Sequence, residues 1–362
     1  MFLKDLWYYA LPGRELKPGE MRHKVLLGEP VLIGRSGAGE VFGLRDICPH
    51  RGVPLSAGRL CEKGETVDGR RLEGTQVECA YHGWRFGTDG RCAAIPSLTA
   101  DQRMELERIR VWRYPVAERN GNIWIYMPER AQGPLVEDTP DPETPPPELP
   151  GVGARRPGMI ERMAFDCHVD HAVIGLMDPA HGPFVHRAWW WRTARSIHEK
   201  AKRFGPVPLG FSMLAHKPSK NSFFYRVLGG EVTTEIVFRL PGIRTELIRA
   251  GKRGTVLGLT TVTPLTEETT EVTQSFYWTL PWLTPAKEFL RPLVRTFLRQ
   301  DHDMVMLQKE GLKFNPRLML INDADMQAKW YFRLKQAWAE SNETGKPFDH
   351  PLKEEVTLRW RS

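Results

Sequence analysis

An α+β fold in two parts, an all-β region followed by a mixed region of sheet and long helices, is what this sequence predicts. Three observations carry that expectation. Short apolar runs punctuated by Gly, Pro and Asn continue to about residue 128. A stretch poor in apolar residues, QGPLVEDTPDPETPPPELPG, then brings consecutive prolines at 145–147, whose missing donors and fixed φ favour an extended connection. Beyond about residue 158 the pattern turns to β-branched and aromatic runs interleaved with helical periodicity. The expected organisation is a first domain over 1–130, a Pro-rich linker over 131–157 and a second domain over 158–362. With 362 residues, 41% hydrophobic and 26% charged, the chain is long enough for two cores.

Within the first region, VLLGEPVLIGRSGAGEVFGL reads as two strands joined by a Gly-rich turn. IRVWRYPVAERNGNIWIYM carries Asn120-Gly121, the dipeptide that tight hairpins select because both turn residues need positive φ. The polar CEKGETVDGRRLEGT reads as a surface hairpin. In the second region a helix is expected over roughly 166–181, strands over roughly 210–280, a long helix over about 285–311, a last helix over about 323–342 and a strand in EEVTLRW.

Several function classes fall away. No apolar run approaches the roughly 18 residues that a membrane-spanning helix needs. The segment MFLKDLWYYALPGRELKPGE has no basic head before a clean apolar stretch, so no secretory signal is expected and the protein reads as cytoplasmic. Lys plus Arg 51 against Asp plus Glu 44 gives +7, but the charges are interspersed. No nucleic-acid partner is expected, and an acidic protein partner suits the excess at least as well. Cys48, Cys61, Cys79, Cys92 and Cys167 make an odd count, which argues against a disulfide framework and leaves metal binding.

Two constellations carry chemistry. The first is Cys48-Pro-His50 and Cys79-Ala-Tyr-His82-Gly-Trp84, each in a turn after strand-like residues. Two thiolates and two imidazoles on paired loops suit either a tetrahedral zinc or a [2Fe–2S] cluster with two Cys on one iron and two His on the other. Cys61 and Cys92 stand outside the set as unpaired thiols.

The second constellation is Asp178-Pro-Ala-His181-Gly-Pro-Phe-Val-His186. On one regular helix His181 and His186 would lie about 140° apart, so a break at Gly182-Pro183 is expected to let them converge. Two His and one carboxylate with open positions form the facial triad of a non-haem Fe(II) oxygenase. The carboxylate is sought on the long helix, where Leu290, Val294, Phe297, Asp301, Met304 and Gln308 make one stripe. Asp301 would sit in an apolar face, where a charge needs a partner or a metal. Asp303 is about 200° around and faces solvent. His168, His171, Asp166 and Asp170 crowd the preceding turns as rival ligands and read as supporting residues. Trp189, Trp190 and Trp191 read first as core and interface residues, with an aromatic wall near a substrate entrance as the alternative.

CPHRG and CAYHGWRF closely resemble the two halves of the Rieske motif, over roughly residues 1–128. With the later His-His-Asp set, in that order, nearly the whole chain resembles the Rieske non-haem iron oxygenases of the aromatic-ring-hydroxylating type. The resemblance implies that Cys48 and Cys79 hold one iron of a [2Fe–2S] cluster and His50 and His82 the other. Tyr81 and nearby backbone N–H groups would bond the sulfurs. It implies an Fe(II) on His181, His186 and Asp301, with Asp178 bridging one subunit's Rieske histidine to His181 of the next. The implied second-domain fold is a curved antiparallel sheet gripping a helix, of the helix-grip or START-like kind, and the implied assembly a homotrimer. The implied function is that of a terminal oxygenase α-subunit, fed from NAD(P)H by a reductase with or without a ferredoxin. It would use O2 to hydroxylate or demethylate a hydrophobic substrate, aromatic, steroid or terpenoid-like. The competing readings are a Rieske electron carrier, which would place extra cysteines near Val53 and Tyr81, and a non-catalytic paralogue. The pocket is expected on the strands bearing Phe223, Phe224, Tyr225, Val237, Phe238, Phe276, Tyr277 and Trp278, with no charged anchor.

Overall fold

The computed structural model describes residues 2–129, 142–186, 197–218, 225, 228 and 231–362. The chain divides into two compact units, Lys4–Pro147 and Glu148–Ser362, the latter joined by the first three residues. Trp189, Trp190, Trp191, Phe223, Phe224 and the part of the expected linker before Pro142 lie outside the described residues.

The first unit is antiparallel β throughout. Its strands are β1 (Leu6–Pro12), β2 (Met21–Leu26), β3 (Glu29–Arg35), β4 (Val41–Arg45), β5 (Arg59–Cys61), β6 (Thr66–Val67), β7 (Arg70–Arg71), β8 (Gln76–Glu78), β9 (Arg85–Gly87), β10 (Cys92–Ala94), β11 (Arg113–Tyr114), β12 (Val116–Arg119) and β13 (Asn122–Met127). They form sheets in the orders β11-β4-β3-β2, β10-β9-β8-β5 and β1-β13-β12, with a small β6–β7 pair. Asn120 and Gly121 turn β12 into β13 with φ of 53° and 71°, as the hairpin dipeptide predicts. Asp68 and Gly69 do the same between β6 and β7. The two strands expected around one Gly-rich turn are in fact three. Leu27-Gly28 adopts positive φ at both positions and splits the apolar run into β2 and β3. A leucine in that conformation hides the turn from pattern reading.

The second unit is built on one eight-stranded antiparallel sheet. Its strands are β14 (Met159–Phe165), β15 (Glu199–Val207), β16 (Gly210–His216), β17 (Val232–Arg239), β18 (Ile243–Ala250), β19 (Thr255–Pro264), β20 (Thr270–Trp278) and β21 (Val356–Arg361), in the order β14-β20-β19-β18-β17-β16-β15-β21. Its helices are α1 (Val169–Met177), α2 (Gly182–Val185), α3 (Leu283–Leu312) and α4 (Met326–Thr344).

The helix expected over 166–181 is the shorter α1, followed by the separate turn α2, and the break is not at Gly182-Pro183. Asp178 takes extended backbone (φ −61°, ψ 118°) at the end of α1, because the ring of Pro179 disfavours the helical region for the residue before it. Pro183 instead lies in the first turn of α2, where its missing N–H leaves nothing unsatisfied. The 30-residue α3 runs beside β14. The buried Glu161 carboxylate accepts from Arg295 Nε at 3.1 Å and pairs with Arg291, while Phe165 meets His302 at 5.2 Å between ring centroids. α4 covers another part of the sheet: Trp330 packs on Phe204 and Phe211, and Tyr331 edge-on to Phe238. Each large aromatic so buried contributes about 1.5–3 kcal/mol. Among the described residues, no helix is long and apolar enough to cross a membrane.

Candidate metal centres and cavity

The two Cys-His loops of the first unit are built on one backbone frame. In each, the cysteine N–H donates to the carbonyl five residues on, Cys48 to Val53 and Cys79 to Trp84, both at 2.8 Å. The glycine four residues after the cysteine donates back to it, Gly52 to Cys48 at 2.9 Å and Gly83 to Cys79 at 3.0 Å. Gly52 and Gly83 have φ of 72° and 68°, a conformation glycine adopts without steric penalty. These frames bury both thiols and leave the imidazoles outward. The rings of His50 and His82 stand 4.6 Å apart, and Trp84 stacks flat on His50 at 4.7 Å.

Burial and the neighbouring Cys79 push the Cys48 thiol up to about 11, against the backbone N–H groups of His50 and Arg51, which favour its thiolate. Metal loading therefore displaces thiol protons. Tyr81 does not turn toward the thiols. It is 56% exposed, with its ring 3.9 Å from that of His82. Paired buried thiols and paired outer imidazoles fit a cluster with one iron on each pair.

In the second unit, the two ends of α2 and the middle of α3 bring His181, His186 and Asp301 together. His181 Nε2 and His186 Nε2 are 3.1 Å apart. Asp301 Oδ1 lies 3.2 Å from His186 Nε2 and 3.6 Å from His181 Nε2. A triangle of that size is what three ligands about 2.1 Å from one ion make on an octahedral face. Among the described residues, this is the one group of three ligand atoms lying within 4.8 Å of one another. The Cys-His set makes no such single focus, which suits two irons better than one zinc.

Asp301 is mostly buried and Asp303 is 55% exposed, so the helix-face argument selects the carboxylate that faces the histidines. The apolar stripe itself needs one correction: Met304 is exposed and Val305 is buried in its stead. Asp178 Oδ1 accepts from the Ala180 N–H at 2.7 Å. Its Oδ2 stands 3.7 Å from His181 Nδ1, beyond hydrogen-bond length, and that nitrogen has no partner. Burial works against the charged form of His181, but Asp178 and Asp301 outweigh it and raise its pKa. His168 caps α1, its Nδ1 accepting from Asp170 N–H at 3.2 Å. Asp170 is held by Lys335 and the Tyr331 hydroxyl, Asp166 is exposed, and none of these nor His171 belongs to the triangle.

One supporting residue escapes sequence reasoning. Gln300 Oε1 lies 3.1 Å from His186 Nδ1. As an amide oxygen it accepts the Nδ1 proton and leaves the Nε2 lone pair toward Asp301 and His181. Its place beside Asp301 is the only signal in the chain, and a glutamine at that position reads as a helix surface residue.

The triad opens on a cavity of about 1280 Å³. Tyr225, Phe276 and Trp278 line it as expected. Val237 and Tyr277, the alternate residues of their strands, fall on the other face, and Phe238 is covered by Tyr331. The expectation of no charged anchor is overturned: Arg244, Glu246, Lys200 and Lys202 all line the cavity. Their strands alternate with apolar residues, a pattern that ordinarily signals a solvent face.

Comparisons with known proteins bear on both units. Residues 6–114 match the Rieske [2Fe-2S] domain. The chain is 36% identical over 129 residues to the 3-chlorobenzoate-3,4-dioxygenase oxygenase subunit of Comamonas testosteroni, covering 35% of this chain and 27% of that protein. It is 34% identical over 141 residues to the 4beta-methylsterol monooxygenase of Methylococcus capsulatus, 39% of this chain and 34% of that one. These matches span about a third or less of those relatives. In fold the likeness is wider: the crystal structure of dicamba monooxygenase bound to dicamba superposes with a TM-score of 0.70 at 21% identity, over 95% of this chain and 99% of that one.

Proposed function

We propose that this chain, whose residues 6–114 match the Rieske [2Fe-2S] domain, is the terminal oxygenase of a multicomponent system of the Rieske non-haem iron type. The observation that carries the proposal is the convergence of His181, His186 and Asp301 on the wall of a large, mainly apolar cavity. A cluster on Cys48, Cys79, His50 and His82 would supply single electrons, and an Fe(II) on the triad would supply O2 activation. The protein's own share is positional. Gln300 fixes the tautomer of His186, and Leu290, Val294 and Phe297 present an apolar wall next to the ligands. They hold an organic substrate against the triad and keep bulk water off it. Asp178, one-third exposed beside His181, is assigned to the electron path from the Rieske histidine of a neighbouring copy. That assignment goes with a homotrimer in the cytoplasm, a reductase drawing on NAD(P)H and, in some arrangements, a ferredoxin. An electron carrier has no use for the triad or the cavity.

Metal and sulfide analysis tests the proposal. The purified protein should be brown, with about two acid-labile sulfides and about two cluster irons per chain besides the mononuclear iron. His82→Cys should change the electron-paramagnetic signature that imidazole ligation sets. One zinc per chain without labile sulfide would overturn it.

A further inference from the structure

The cavity wall holds a charged pair that no step of the proposed chemistry uses. Arg244 and Glu246 are alternate residues of β18 and both line the cavity. Arg244 Nη2 donates to Glu246 Oε2 at 3.0 Å, and the Tyr225 hydroxyl donates to Glu246 Oε1 at 3.2 Å. The two side chains are only about a quarter exposed. Drawing both ions out of water is expensive, and apolar residues of the same volume would stabilise such a wall as well or better. Packing therefore does not explain the pair.

Its surroundings are those of a polar subsite. In register across the sheet, Arg244 faces Thr260 and Thr260 faces Gln274, all three lining the cavity. Opposite Glu246 stands Gly258. A Cβ there would meet nothing closer than the Phe276 ring at 3.6 Å, an ordinary contact. Packing does not demand glycine at that position, and a glycine inside a strand marks a place where another molecule can come close to the backbone.

Distance separates this subsite from the triad. The row through Arg244, Thr260 and Gln274 reaches β14 at Glu161, four residues from Phe165, which touches His302 beside Asp301. Four residues of strand span about 13 Å. Leu283 and Asp301, both on the cavity wall, lie about 27 Å apart along α3. A single ring held at the triad does not reach Arg244, whereas a rigid molecule of several fused rings does.

We propose that Arg244 and Glu246 bind a neutral hydroxyl group at the far end of an elongated, otherwise apolar substrate whose near end lies at His181, His186 and Asp301. A hydroxyl suits the pair because it donates to the carboxylate and accepts from the guanidinium at once. A carboxylate would satisfy Arg244 but meet Glu246 as a like charge, and an ether offers Glu246 no proton. The proposal deepens the oxygenase reading and rests on it, so its test reads binding rather than turnover.

The full-length protein is titrated without oxygen with four probes on the androstane skeleton: the hydrocarbon, the alcohol, its methyl ether and the carboxylic acid. Cyclohexanol serves as the single-ring control, and quenching of tryptophan fluorescence is the signal, since Trp278, Trp282 and Trp360 line the cavity. The alcohol is expected to bind at least about tenfold tighter than the ether or hydrocarbon, as a hydrogen bond to a charged group allows. Cyclohexanol is expected not to saturate. Glu246→Gln should remove most of that preference while ether affinity stays within about threefold. The double variant Arg244→Met/Glu246→Leu, which strands no charge, should abolish the preference with ether binding intact. Equal affinity for alcohol and ether in the wild type, tightest binding of the acid, or no binding of any androstane would each overturn the proposal. Selective alcohol binding without oxygen uptake in the presence of reductase would overturn the oxygenase reading and leave this one standing.

Discussion

Gln300→Leu is the perturbation that asks most of the site, because it replaces no ligand and nearly conserves volume. In the native chain the amide oxygen lies 3.1 Å from Nδ1 of His186, a ring that is 7% exposed on its side chain. Without that acceptor, two outcomes compete. The proton stays on Nδ1 and a buried donor goes unsatisfied, at about 1–3 kcal/mol, or it moves to Nε2, the atom that faces Asp301. Both penalise a metal on the triad, and removal of such a supporting partner typically lowers metal affinity about 10- to 100-fold. The assay is anaerobic competition for Fe(II) against chelators of graded strength, with labile sulfide and the visible spectrum of the cluster as controls in the other unit. Gln300→Glu restores an acceptor and should bind Fe(II) at least as well as the native protein. Native affinity in Gln300→Leu would refute the tautomer argument. Equal losses in the Leu and Glu variants would refute it too, by showing that the amide matters for something other than accepting a proton.

Asp301→Ala should abolish mononuclear iron and oxygenation with the Rieske spectrum intact, while Asp303→Ala, whose side chain is more than half exposed, should change iron content by less than about twofold; iron analysis with the two outcomes reversed would mean that the other carboxylate is the ligand. Asp178→Asn should keep both centres loaded while reoxidation of a pre-reduced cluster, followed in a single turnover with substrate and oxygen, slows by about two orders of magnitude or more. Native reoxidation in that variant, or full activity in a strictly monomeric protein, would refute an inter-subunit route through Asp178.

The two metal-site candidates were legible in the sequence because their ligands come with the backbone that shapes them. Cys48 and Cys79 each precede by four residues a glycine whose positive φ closes the loop, so residue type and conformation point the same way. His181 and His186 lie five residues apart, too far around one long regular helix to meet, and Gly182-Pro183 between them announces a break, although the residue that ends the helix is Pro179 and the two histidines flank the single turn of α2. Asp301 was separable from Asp303 because a helix repeats every 3.6 residues and a 200° offset decides which carboxylate faces inward. Met304 was misplaced by the same rule. Its stripe position is also satisfied by Val305, and only packing decides between neighbours on a helix that is half-buried for most of its length.

Arg244 and Glu246 show where such reading stops. In IRTELIRA, Ile243, Thr245 and Leu247 are buried and alternate with Arg244 and Glu246. An antiparallel strand with one apolar and one polar face ordinarily sets the polar face in water. That inference holds only if water is what lies on that side. Here the face carrying Arg244 and Glu246 closes on a cavity walled by α3, so the same alternation that marks a surface in an open sheet marks a binding wall in a covered one. Periodicity reports how many faces a strand has, not what each face meets. What the polar face meets depends on whether a helix more than thirty residues further along the chain returns to cover it, and that is a property of tertiary topology rather than of the eight residues in the strand. The expectation of a pocket without a charged anchor failed for this reason, and a polar group on the bound molecule is sought at Arg244 and Glu246 because the fold places a charged pair where solvation cannot account for it.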